Sequence, residues 1–179
     1  MANKTNKTEN LEEKPITAET KEQEKKDNNF IPKQIDNDQL IVVKNGFHGK
    51  LVYKSNRTGE VFVWDSFGSE QEMELRELKS AKNTFKKFFI NNWFMFDDSW
   101  VIDYLGLKQY YKNAIPVSNF DSIFDKPAKE LEKFINELSV GQKKSVAYRA
   151  KQLIADSKID SLSTINALQK ALGIELIEK

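Results

Sequence analysis

Three carboxylates, Asp97, Asp98 and Asp103, stand close together in "FDDSWVIDYL" and are the first place to look for chemistry. Oxygen ligands so grouped could hold a hard cation. The calcium-loop pattern D-x-[DN]-x-[DN]-G is absent, however. The simpler task for Asp97 or Asp98 is to cap the helix that "SWVIDYL" begins. The only histidine, His48, sits in the glycine-flanked turn "GFHGK". One histidine cannot build a His-based metal cluster within a chain, and an exposed turn position is expected for it. "NGFHGK" lacks the Walker spacing and a following helix, so it is no phosphate loop. The chain has no cysteine. That excludes disulfides, thiolate zinc sites, iron–sulfur clusters and thiol nucleophiles. No catalytic residue, metal or cofactor is assigned, and a non-enzymatic role is expected.

Two further groups suit binding rather than catalysis. Residues 85–111 hold ten of the 20 aromatic side chains (12 Phe, 5 Tyr, 3 Trp). Most should build a core, yet "FFINNWFMF" follows neither a strand nor a helix period. Trp93, Phe94, Phe96 and Trp100 are therefore candidate partner-binding residues, since such rings anchor interfaces. Lys143, Lys144, Arg149 and Lys151 fall on one helix, with Lys158 beyond it. Of these, Lys143, Lys144 and Arg149 are candidates for docking an acidic neighbour. With the last helix they also suggest a helix-turn-helix, in which Ser163, Thr164, Asn166, Gln169 and Lys170 would face bases. A solvated basic face is the plainer account. The net charge of +1 gives no general pull toward nucleic acid or anionic lipid. Nucleic-acid binding is expected to be weak.

These residues need elements to position them. Residues 1–38 carry seven lysines against nine acids, and residues 1–29 contain no aromatic residue and no valine. Such a stretch cannot bury enough apolar surface to offset its ordering entropy, so 1–38 is expected to be a disordered arm. Residues 39–80 read as a small β unit. "QLIVVKN" ends at Asn45-Gly46, a type I′ hairpin pair, and "GKLVYKS" follows. "SNRTG" turns into "EVFVWDS", and "EQEMEL" is a fourth candidate strand. Leu51 and Tyr53 share one face; Phe62 and Trp64 lie opposite Val61 and Val63. The unit should be an antiparallel meander, or curl into an SH3-like barrel.

Residues 81–125 are expected to be an aromatic-rich helical segment packed on the β unit. It continues the spacing of Leu75, Leu78, Ala81, Phe85, Phe88 and Phe89, with a break at Asn83-Thr84 and another at Gly106. Residues 126–179 should be a helical bundle. Its first helix buries Leu131, Phe134, Ile135 and Leu138. Ser139 and Gln142 form a capping box for the second, which buries Val146, Ala150, Leu153 and Ile154. Ser161 or Ser163 starts the last helix and Gly173 ends it. No apolar run of the length a membrane span needs exists, and no apolar stretch follows "MANKTNKTEN", so neither a membrane helix nor a secretory signal is expected. The fold class is α+β.

The stretch from "GKLVYKSNRTGEVFVWDSFGSEQEMELRELKSAKN" through "KKFFINNWFMF", with "GQKKSVAYRAKQLI" and "LQKALGIELIE", resembles small virion-associated proteins of tailed phages and prophages of low-GC bacteria. That resemblance covers roughly residues 40–179 and carries no functional residues. It implies a structural or assembly protein whose partners are other virion proteins, found in the virion or the host cytoplasm.

Overall fold

The computed structural model describes residues 35–177. Most of the expected arm lies outside these residues. Its last part, 35–38, belongs to the fold: Asp38 pairs with Arg76 at 3.0 Å, and Lys79 donates to the Asn37 side chain at 2.8 Å. Ile35 packs against the first core.

Strand β1 (Leu40–Asn45) is the centre of a three-stranded antiparallel sheet. It pairs with β4 (Glu70–Glu74) on one side, Ile41 opposite Met73, and with β5 (Phe94–Met95) on the other, Asn45 opposite Phe94. Strands β2 (Leu51–Lys54) and β3 (Val61–Trp64) form a separate hairpin, with Leu51 opposite Trp64 and Tyr53 opposite Phe62. The hairpin edge meets the larger sheet through the Gln71 amide, which donates to the Val63 carbonyl at 2.9 Å. Among the described residues the strands are antiparallel, as expected, but the sheets do not close into a barrel, and β1 lies between β4 and β5 rather than beside β2.

The reason lies at Asn45-Gly46. A type I′ turn needs positive φ at both central residues, and neither Asn45 nor Gly46 has it. Asn45 is fully buried and works as a clamp instead. Its amide donates to the carbonyls of Gly49 and Ser66, each at 2.8 Å, and its oxygen accepts from the Phe47 N–H at 2.8 Å. Gly46 is required by crowding: a Cβ there would lie 2.2 Å from the Asn92 carbonyl oxygen. The pair therefore ends β1 and admits the backbone before β5, rather than turning β1 onto β2.

Helix α1 (Leu75–Thr84) follows β4 directly and stops at the expected Asn83-Thr84 break. Short helices α2 (Lys87–Ile90), α3 (Ser99–Tyr104) and α4 (Lys108–Tyr111) flank β5. The irregular "FFINNWFMF" thus passes from helix through a tight turn, with Asn92 at φ 55°, into a strand. A 3-10 stretch, Val117–Asp125, leads to α5 (Ala128–Asn136), α6 (Val140–Ala155) and α7 (Leu162–Leu172). Gly173 ends α7 in the left-handed conformation. No helix of the described residues is long and apolar enough to cross a membrane.

Two apolar cores result. The first gathers Val43, Tyr53, Trp64, Met73, Leu78, Phe89 and Phe94 with their neighbours. The second gathers Ile115, Phe120, Leu131, Ile135, Val146 and Leu168 with theirs. It begins before residue 126, so the C-terminal bundle includes the 3-10 stretch.

Candidate functional site

Pleating sends the large rings of β2 and β3 inward and leaves the outer face mixed. Inside, Trp64 is fully buried and its indole N–H donates to the Val43 carbonyl at 2.8 Å. Outside, Leu40, Val42, Val52 and Val61 are each 41–57% exposed. On β1, Leu40 and Val42 stand opposite Glu74 and Glu72, two of the outward carboxylates of β4, Glu70, Glu72 and Glu74. Glu70 pairs with Lys44 at 3.1 Å. Glu74 meets both Arg57 and Arg76, and the Arg76 guanidinium chiefly holds its carboxyl below the usual range. At this edge a groove of about 270 Å³ opens beside Leu40, Arg57, Glu60, Phe62 and Glu72. Beneath it Glu77, 2% exposed, accepts from the Tyr53 hydroxyl at 2.6 Å and from Arg57 at 3.0 Å. Burial, helped by Glu77, pushes the Tyr53 hydroxyl well above its ordinary pKa. The floor is therefore satisfied, and the outer carboxylates of Glu60 and Glu72 form no ion pair among the described residues.

The basic helix divides into bound and free charges. Arg149 is committed to a forked ion pair with Asp121, its Nε 2.9 Å from Oδ1. That guanidinium is what chiefly holds Asp121 below the usual carboxylate range. Arg149 thus clamps α6 to the 3-10 stretch, and its charge is already matched where Lys143 and Lys144 keep theirs. Lys144 is exposed and Lys143 partly so, and neither is in an ion pair among the described residues.

The aromatic candidates separate likewise. Phe94, Phe96 and Trp100 are 0%, 7% and 8% exposed and belong to the first core, so their expected availability to a partner is corrected. Trp93 is half-buried between Phe47 and Phe88, and its indole N–H has no hydrogen-bond partner among the described residues. The rings beside the turn at Asn92 fill the space that β5 closes.

The carboxylate trio is dispersed among structural tasks. Asp97 pairs with Lys44 at 2.7 Å and raises the lysine's pKa; Asp103 pairs with Lys108 at 3.0 Å. Asp98 is the N-cap residue of α3, though its side chain makes no capping bond. Among the described residues no group of three or more His, Cys, Asp or Glu could hold a metal ion. His48 is not the exposed turn residue expected. It stacks on Phe67 with ring centres 4.3 Å apart, and Phe120 and Tyr148 close around it. Burial, then the cationic Arg149 nearby, lowers its pKa to about 4.

What sequence reasoning missed is the groove. Its walls come from the β2–β3 turn, β3, β4 and the starts of β1 and α1, and only the outward alternation of Glu70, Glu72 and Glu74 hinted at it. No protein-family model, curated protein or solved structure matches this chain.

Proposed function

We propose that this chain is a non-enzymatic interaction protein, built as a rigid platform on which neighbours dock, and that the assembly it serves is a phage particle. The observation that carries the interaction reading is the outer strand face. Leu40, which lines the glutamate-rich groove, and Val42, opposite Glu72, stay exposed there, as does Val61 next to Glu60 in the chain, while most of the aromatic residues are spent on the core beneath. Apolar positions among unmatched charges on a stiff sheet suit a protein partner, with burial supplying affinity and charge supplying register. The phage particle follows from the resemblance in "GKLVYKSNRTGEVFVWDSFG" and beyond.

The test is mass spectrometry of a native pull-down from phage-producing cells and of purified particles. The expected result is stoichiometric recovery with virion structural proteins, lost in Val61→Asp, which changes a position 53% exposed and leaves the core alone. Recovery of no virion protein, or equal recovery with the variant, overturns the reading.

One observation favours nucleic acid as a second reading: Lys144, Tyr148 and Lys151 are exposed together on α6. So few phosphate contacts would bind weakly at about 0.15 M salt. Submicromolar, sequence-selective binding of duplex DNA by the full chain at that salt would put this reading first.

A further inference from the structure

The groove at the strand edge holds four glutamates against two arginines. Among the described residues, Glu74 and Glu77 are paired with Arg57 and Arg76, Glu60 and Glu72 are left without an ion pair, and the outer face of α6 carries unpaired lysines. In the groove, the carboxylates of Glu60 and Glu72 lie beside Leu40 and Phe62. On α6, Val140, Lys144, Tyr148 and Lys151 recur at helical spacing and form one stripe. Val140 is 66% and Tyr148 53% exposed, and both lysines face solvent. Neither lysine is in an ion pair among the described residues.

We propose that the partner of the groove is α6 of a second copy of this chain. A lysine stem lies along Leu40 and Phe62, its ammonium meets Glu60 and Glu72, and Val140 and Tyr148 cover the neighbouring valines. This rests on the interaction reading and names one of its partners. The argument is charge complementarity. At a net charge of +1 the chain has almost no overall field, so electrostatic attraction between copies must come from facing patches of opposite sign. Both patches also expose apolar side chains, which supply the burial that rim charges alone do not. Because the two patches are different surfaces, the contact is head-to-tail. Repetition then closes a ring or extends a filament, rather than stopping at a twofold dimer.

The test is sedimentation velocity of the full chain at about 0.05 M and 0.5 M salt. The expected result is concentration-dependent association that fades at the higher salt. Glu72→Lys and Lys144→Glu should each raise the apparent dissociation constant by about tenfold or more, because each sets like charges against one another. Both positions are exposed, so each variant should keep the parent's melting temperature. An equimolar mixture of the two variants should associate again. In an alternating series every contact then joins opposite charges. At one contact the two substituted side chains meet with their signs exchanged, and at the next the native Glu72 meets the native Lys144. A chain monomeric under all conditions, single variants that associate like the parent, or a mixture that stays apart overturns the proposal. None of these outcomes decides whether other proteins dock on the strand face, which Val61→Asp reads in the pull-down.

Discussion

Trp64 and His48 show how single side chains hold this protein. Trp64 lies under Val43, in ring contact with Phe62 and Phe94 and hydrogen-bonded through its indole. Truncating it removes a large buried volume and the indole bond to the Val43 carbonyl. Trp64→Ala should cost about 3–5 kcal/mol, read from chemical denaturation. An unchanged midpoint would mean that the β2–β3 hairpin does not pack on β1. His48 makes a pH-dependent contribution. Its pKa falls from an ordinary 6.5 to about 4 in the folded chain. Between these values the unfolded chain takes up the proton and the folded chain does not. Stability is therefore present in full above about pH 6.5 and declines as pH falls toward 4. His48→Phe keeps a ring in the stack and removes the titration. The melting temperatures of parent and variant should diverge in the variant's favour between pH 7 and pH 5, and a constant gap would refute the account. Acid losses below that window belong to carboxylates held by arginine, such as Asp121.

Helix α6 ties the two halves together. Ser139 accepts the Gln142 N–H at 3.1 Å, so the first half of the expected capping box forms. The Gln142 side chain does not reach back to complete it. It is fully buried and pairs with both backbone groups of Ile115, each at 3.0 Å. Two polar groups in the interior are thereby satisfied, which is worth more than a solvated cap bond. One turn on, the Ser145 hydroxyl donates to the Gly46 carbonyl at 3.0 Å. Gly141 makes this approach feasible: a Cβ would lie 2.1 Å from the Asn91 carbonyl oxygen. In a free helix Gly→Ala gains roughly 1 kcal/mol. Gly141→Ala should instead destabilise the protein by about 1–3 kcal/mol, because α6 must be pushed off the turn before β5. A stabilised variant in thermal melts would show that the contact is absent in solution.

Two cores need not mean two independent folding units. Phe67, from the loop before β4, packs in the second core, and Val117, from the 3-10 stretch, packs against the first. With the Gln142–Ile115 and Ser145–Gly46 bonds these cross-contacts make separate unfolding costly. The expected outcome is a single transition. All three tryptophans, Trp64, Trp93 and Trp100, belong to the first core or pack on it. Far-UV circular dichroism weights most the two longest helices of the described residues, α6 and α7, which pack around the second. Denaturation followed by tryptophan fluorescence and by circular dichroism should therefore give coincident curves, the two-state signature. Separated midpoints would show that the cores melt independently.

Local chemistry made much of this protein readable from its sequence. The α+β order, the β2–β3 hairpin, the break at Asn83-Thr84, the Ser139 cap and the Gly173 stop each depend on residues within a few positions of one another. Periodicity and turn preference act over that range. Tertiary structure decided which strands met. β1 could have folded onto β2, and Asn45-Gly46 favoured it locally. The sheet instead joins Leu40 to Glu74 and Lys44 to Met95, residues far apart in the chain. Strand pairing is a competition among partners, settled by which arrangement buries the most and leaves the fewest backbone groups unpaired. The same competition decided the candidate site. Phe94, Phe96 and Trp100 went inside because β5 needed filling behind it, and Arg149 was claimed by Asp121. The groove came into being only when the β2–β3 turn was laid beside β4.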